Sequence, residues 1–139
     1  MRRFHTALST FIVCAAVAAC SDSTAPTPVP HNVTVTATGA FGPSGTVTIT
    51  NVAGANSTLS ATLIGFDANS SHSVAIVSGS CATPGSPVTT LSNIDANSSG
   101  QATIPSTSVP DDAVAPGHAI VFYESTSSTG AIIACGDMT

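Results

Sequence analysis

Histidine and carboxylate side chains are the residues of this chain whose types allow metal binding or acid–base chemistry. His72 and His118 lie far apart in the sequence, and Glu124 follows soon after His118. These intervals do not match the short spacings that are typical of metal-binding clusters. His72, His118 and Glu124 are therefore weak candidates, which form a copper or zinc site only if the fold brings them together.

Other catalytic patterns are absent from the sequence. It has no Gly-Xaa-Ser-Xaa-Gly nucleophile elbow, no phosphate-binding loop and no dinucleotide fingerprint. Asp111 and Asp112 follow Pro110 and offer two adjacent carboxylates, a type of ligand that calcium accepts. Such a pair more often forms a solvated turn, which we expect here. The sequence therefore predicts no catalytic residue.

The N-terminal segment has the pattern of an export signal. Arg2 and Arg3 precede an apolar run over residues 7–19, and this run is shorter than the roughly 20 apolar residues that span a bilayer. The run ends in Val17-Ala18-Ala19-Cys20, which resembles the lipobox of bacterial lipoproteins. That resemblance implies cleavage before Cys20, a lipid on the Cys20 thiol, and a protein anchored to the membrane of the cell envelope, in the periplasm or at the cell surface.

The domain organisation follows from this signal. Residues 1–19 are predicted to be a lipoprotein signal peptide, residues 20–31 a lipidated cysteine with a Pro/Ser/Thr tether, and residues 32–139 one folded domain. The prolines of the tether disfavour helix and sheet and favour an extended spacer. We expect the tether to hold the domain away from the membrane.

The charge balance excludes one class of partner. Arg2 and Arg3 are the only basic residues, against seven acidic ones, so the domain left after cleavage is acidic and has no Lys or Arg. Because phosphate backbones are bound by Lys and Arg, nucleic acid is not an expected partner. The expected partners are the membrane, through the lipid anchor, and an unidentified protein or glycan.

Apolar residues alternate with polar ones after the tether. The alternation is clearest over residues 32–38 and 45–50. Further strand candidates are residues 59–66, 72–78, 101–105, 118–124 and 131–135. Seven or eight short strands at regular spacing predict an antiparallel sandwich or barrel.

Three patterns occur in order along the chain. Leu63–Phe66 precedes a strand and Cys81, Leu91–Ala96 follows, and a strand ending at Glu124 precedes Ala134-Cys135-Gly136. Together they resemble the copper/zinc superoxide dismutase superfamily. The resemblance implies an all-β fold, a Greek-key antiparallel β-sandwich or barrel of about eight strands. It also implies a disulfide between Cys81 and Cys135, the even pair expected in an exported protein.

The same resemblance allows the metal-ligand positions to be compared. The copper ligands of the His-Xaa-His pair fall on Ala75 and Val77, and the late-strand copper His falls on Tyr123. The positions of the zinc His, the zinc Asp and the active-site Arg are Pro87, Thr90 and Ile132. The resemblance thus implies a scaffold that has lost its metal site, without a copper or zinc cofactor.

Electrostatics lead to the same expectation. Superoxide is an anion, and a positive potential steers anions into an active site. An acidic domain without Lys or Arg repels superoxide, so dismutase activity is not expected. The predicted role is structural or binding.

Two alternatives stay open. The first is a divergent copper/zinc superoxide dismutase or a periplasmic copper-binding protein, whose ligands lie outside the family pattern. The second is an immunoglobulin-like adhesion or structural module. The latter usually packs a disulfide on a buried Trp, and this chain has no Trp.

Overall fold

The computed structural model describes residues 27–52 and 54–139, so Cys20 and most of the predicted tether lie outside the described residues. The described part contains ten strands and one 3-10 helical turn, Asp111–Val114. The strands are β1 (Val29–Ala37), β2 (Ser44–Asn51), β3 (Ser57–Ile64), β4 (Ser71–His72), β5 (Val74–Ser80), β6 (Thr83–Thr90), β7 (Ile94–Asp95), β8 (Gln101–Val109), β9 (His118–Tyr123) and β10 (Ile132–Asp137). Across these described residues, we find no helix with the length and apolarity that a membrane span requires.

Eight of the strands form one curled antiparallel sheet in the order β6-β5-β9-β10-β1-β2-β3-β8, and β4 pairs with β7 separately. The connections from β3 to β5 and from β8 to β9 cross between distant places in this order, as in a Greek key. Inward side chains from both halves of the sheet pack in one core cluster. The all-β, eight-stranded barrel or sandwich predicted from the sequence is therefore confirmed.

Alternation along the strands builds this core. Val47 and Ile49 of β2 are fully buried, whereas Thr46 and Thr48, which alternate with them, lie on the opposite face of the sheet. The same pattern runs along β1 and β3, because successive side chains of a strand point to opposite faces. Burying the β-branched residues removes apolar surface from water and stabilises the fold.

Strands β5 and β9, the second and third in the sheet order, have buried residues on both faces. Val74 and Ile76 belong to the main core, and Ala75 and Val77 on the other face are also buried. These outward residues form a second apolar cluster together with residues of β9 and β10. We call the surface formed by β5, β9 and β10 on this side the outer face.

Several strands differ from the sequence prediction in their bounds, and one was not predicted. Residues 82–87, which include Pro84 and Pro87, lie between the strand candidates of the sequence, yet residues 83–90 form β6 at the edge of the sheet. An edge strand tolerates proline, since the missing N–H faces away from the ladder. In addition, β1 begins at Val29 rather than at residue 32, and its second residue is Pro30.

Asp111 is more than the solvated turn residue that the sequence suggested. Its Oδ1 accepts hydrogen bonds from Asn51 Nδ2 at 3.0 Å and from Ser57 Oγ at 2.5 Å. Ser57 is fully buried, so this carboxylate ties the 3-10 turn to β2 and β3. The hydrogen bonds from Ser57 and Asn51 hold the pKa of Asp111 below its usual value.

This network gives the protein an acid-sensitive contact. Because the pKa of Asp111 is lowered, its contribution is present above the ordinary value of 3.8 and is lost as the pH falls through the lowered pKa. We expect Asp111→Asn to lower the urea midpoint at neutral pH and to flatten its decline in acid. Asp112→Asn, which changes the neighbouring exposed carboxylate, serves as the control and should behave as the wild type; equal loss in both variants would contradict this role.

Candidate functional site

The three positions that the resemblance assigns to copper ligands lie together on the outer face. Ala75 and Val77 lie two residues apart on the same face of β5, and both share a buried cluster with Tyr123 of β9. The Tyr123 N–H donates to the carbonyl oxygen of Ser73 at 3.0 Å, so Tyr123 lies diagonally beside Ala75. The fold thus brings Tyr123 next to Ala75 and Val77, from which it is distant in sequence.

The positions that the resemblance assigns to the zinc ligands and the active-site Arg lie next to Ala75, Val77 and Tyr123. Thr90 of β6 pairs with Ala75, Pro87 pairs with Val77, and Ile132 of β10 lies opposite Tyr123. Thr90 and Pro87 are exposed on the edge strand. The assigned positions are thus adjacent in the fold, as the ligands of one metal site must be.

The chemistry of this face does not fit copper or zinc. Copper and zinc sites use imidazole, thiolate or carboxylate donors, and neither Ala75 nor Val77 supplies one. Tyr123 offers a single hydroxyl. Within residues 27–52 and 54–139, no three His, Cys, Asp or Glu side chains are grouped so that they could hold an ion.

Tyr123 takes the space on the outer face beside Ala75 and Val77. Only 5% of its surface is exposed, and it packs in the cluster with Cys135 and Ile132. Burial raises the pKa of the Tyr123 hydroxyl, because the phenolate loses solvation. An aromatic ring therefore occupies the position that the resemblance assigns to a copper-binding imidazole.

The raised pKa can be measured directly, because Tyr123 is the only Tyr and the chain has no Trp. The contribution of the neutral phenol is present below the ordinary value of 10.0 and is lost as the pH rises through the raised pKa. We expect the phenolate absorbance of the folded protein to titrate above 10.0, and that of the urea-unfolded protein close to it. Coincident curves would show that the ring lies in water.

The predicted disulfide is confirmed. Cys81 and Cys135 are joined with a Cα–Cα distance of 5.7 Å, which links the segment after β5 to β10. The Cys81 N–H also donates to Asp137 Oδ1 at 2.7 Å. These two links close one side of the outer face, where Cys135 is part of the cluster.

His72 is buried and held by contacts within the fold. It is 4% exposed, and its Nδ1–H donates to the carbonyl oxygen of Tyr123 at 2.8 Å. Its Nε2 lies 2.6 Å from Ser70 Oγ, and its ring packs on Phe66 with centroids 4.7 Å apart. Both ring nitrogens therefore have protein partners.

The weak metal candidates are not brought into one site. His118 is half-buried at the start of β9, and its Nδ1–H donates to the carbonyl oxygen of Ala115 at 3.2 Å. Glu124 is exposed and borders a different surface, next to His72. His72, His118 and Glu124 thus do not form a three-ligand group in the described part of the chain.

A cleft that no sequence pattern indicated lies beside His72 and Glu124. It has a volume of about 250 Å³, and we call it the Phe41 cleft. Six of its lining residues are Phe41, Pro43, Phe66, Asp67, His72 and Glu124. They come from the β1–β2 turn, the segment after β3 and the residue after β9, so only the folded chain brings them together.

Among the comparisons with known proteins, the search of solved structures identifies the fold. Neither a protein-family model nor a curated protein sequence matches the chain. The structure is similar to the crystal structure of a SOD-like protein from Bacillus subtilis, with a TM-score of 0.61 and 15% sequence identity. The similarity covers 78% of this chain and 98% of that chain. The fold is thus SOD-like, which does not favour the immunoglobulin-like alternative.

Proposed function

We propose that this chain is a lipid-anchored protein of the cell envelope whose SOD-like domain acts by binding and not by dismutation. The main support for the proposal is the set of residues on the outer face. The fold gathers Ala75, Val77 and Tyr123, which the resemblance assigns to the copper ligands, and these residues cannot hold copper as three imidazoles do. The scaffold is retained, and the chemistry of its family site is lost.

The charge of the domain also supports the proposal. Residues 27–139 include no Lys or Arg, whereas Asp137 of β10 is exposed and accepts a hydrogen bond from the Cys81 N–H at the border of the outer face. An approaching superoxide anion meets only negative side chains there, apart from any protonated His. Electrostatic steering, which favours the encounter of an anion with a positive cleft, is therefore reversed.

A dismutase assay tests this proposal. The purified full chain is incubated with copper and zinc, dialysed against a chelator and mixed with superoxide. We expect superoxide to decay at the rate of the buffer treated in the same way. A chelator-resistant rate well above that of the buffer would overturn the proposal and favour a divergent dismutase.

The anchor is tested by the substitution Cys20→Ala. We expect the wild type to incorporate a labelled fatty acid and to sediment with membranes when it is expressed in a bacterium. Cys20→Ala should incorporate no label, because the thiol that carries the lipid is lost. Cys14→Ala, which changes the other cysteine of the N-terminal segment, is the matched control and should keep the label. Labelled Cys20→Ala protein would contradict the anchor.

A further inference from the structure

The Phe41 cleft is a second surface with the features of a binding site. Pro43 and Phe66 are buried lining residues, and Asp67 and Glu124 are exposed ones. The cleft therefore combines apolar walls with two carboxylates that face water. It does not include Ala75, Val77 or any other residue of the outer-face cluster.

Phe41 leaves nearly its whole ring in water. It is 96% exposed, the highest fraction among the exposed large apolar residues of the described chain. Removing such a ring from water is favourable, since the gain is proportional to the apolar area buried. Because the ring borders a cleft, a partner that enters the cleft buries it and gains this free energy.

The two carboxylates have no basic partner in the domain. Arg2 and Arg3 are the only basic residues of the chain, and both precede the described residues. Asp67 and Glu124 therefore form no ion pair with Lys or Arg of the domain. A cation is the charge-complementary occupant, and it also interacts favourably with the face of an exposed aromatic ring.

The floor of the cleft is held in place before any partner arrives. Ser70 Oγ donates to the carbonyl oxygen of Asp67 at 2.6 Å and lies 2.6 Å from His72 Nε2. His72 Nδ1–H is bound to the carbonyl oxygen of Tyr123, and its ring packs on Phe66. A preorganised floor lowers the entropy lost on binding.

We propose that the Phe41 cleft binds an arginine side chain presented by a partner protein. The guanidinium is planar, so it stacks on the exposed Phe41 ring while its N–H groups donate to Asp67 and Glu124. Arginine is also enriched at the centres of protein interfaces. This inference rests on the proposed binding function and names the chemistry of its partner.

The test is a titration of the isotopically labelled full chain, in detergent, with N-acetyl-arginine methylamide, followed by NMR. The same amide of citrulline is the control ligand, because it keeps the length and shape of the side chain and removes its charge. We expect saturable shifts of the Phe66, Asp67 and Glu124 amides with the arginine compound, which weaken as salt is added. Equal shifts with citrulline, or no saturable shift with arginine, would overturn the proposal.

Two matched pairs of variants make the test specific. We expect Phe41→Ala and Glu124→Gln each to weaken binding about two- to fivefold, the range of exposed cation–π and ion-pair contacts. Val29→Ala removes another exposed apolar side chain and Asp112→Asn another exposed charge, and neither should change the affinity. Equal weakening in the controls would assign the effect to general charge or apolarity and contradict the site.

The arginine titration and the dismutase assay report on different surfaces, so one can fail without the other. Loss of the arginine titration leaves the metal and dismutase results unchanged, and a different surface then carries the binding role. A measured dismutase activity overturns the proposed function without altering the titration.

Discussion

Breaking the Cys81–Cys135 disulfide is expected to remove about 4 kcal/mol of folding stability. The bridge spans a sequence separation of 54 residues, and such a cross-link restricts the unfolded chain more than a short one does. A single domain of this size has roughly 5–15 kcal/mol in total. Urea unfolding of the oxidised and the reduced wild type measures the difference without changing any residue.

The substitution of both cysteines separates the cross-link from local packing. Cys135 is 3% exposed in the outer-face cluster, whereas Cys81 is only partly buried. Cys81→Ser with Cys135→Ala therefore keeps an apolar group in the cluster and should match the reduced wild type. Oxidised and reduced proteins that unfold within about 1 kcal/mol of each other would contradict the stabilising role of the bridge.

The substitution Ala75→His, Val77→His and Tyr123→His, made together, is expected to create copper binding that the wild type lacks. The fold already gathers these positions on the outer face, and three imidazoles are a donor set that copper accepts. Without metal, the variant should be less stable than the wild type, because bulky polar rings replace buried side chains. Added copper should then raise its melting temperature. A copper concentration a thousandfold above the Kd stabilises the folded variant by about 4 kcal/mol.

Two control variants change the same positions without supplying three imidazoles. Tyr123→Phe retains the ring without a donor, and we expect copper to leave its melting temperature unchanged. The pair Ala75→His and Val77→His, with Tyr123 kept, should bind copper more weakly than the triple variant. A triple variant that copper does not stabilise would show that these positions are not arranged as the resemblance implies.

The sequence predicted those parts of the fold that depend on local alternation. Val47 and Ile49 alternate with threonines along β2, so a strand with one buried face could be read from the residues alone. The order of the short patterns and the Cys81–Cys135 pair were sufficient to predict the SOD-like fold. They also placed Ala75, Val77 and Tyr123 at one site, which the structure brings together.

Other features depend on contacts that no local pattern reports. Strand β6 contains two prolines and forms only because it lies at the edge of the sheet, beside β5. Asp111 gains its hydrogen bonds from Ser57 and Asn51, which are distant in sequence. The Phe41 cleft likewise joins segments that are far apart in the sequence, so its aromatic ring and carboxylates could not be connected from the sequence.

The metal content of the full chain decides the claim that the wild-type scaffold has lost its metal site. The protein is loaded with copper and zinc, dialysed exhaustively and analysed for both elements, with the triple histidine variant as the positive control. A scaffold whose ligand positions are Ala75, Val77 and Tyr123 predicts background metal in the wild type and bound copper in the variant. Near-stoichiometric copper or zinc in the wild type would contradict the claim, because the fold would then have built a metal site from other residues.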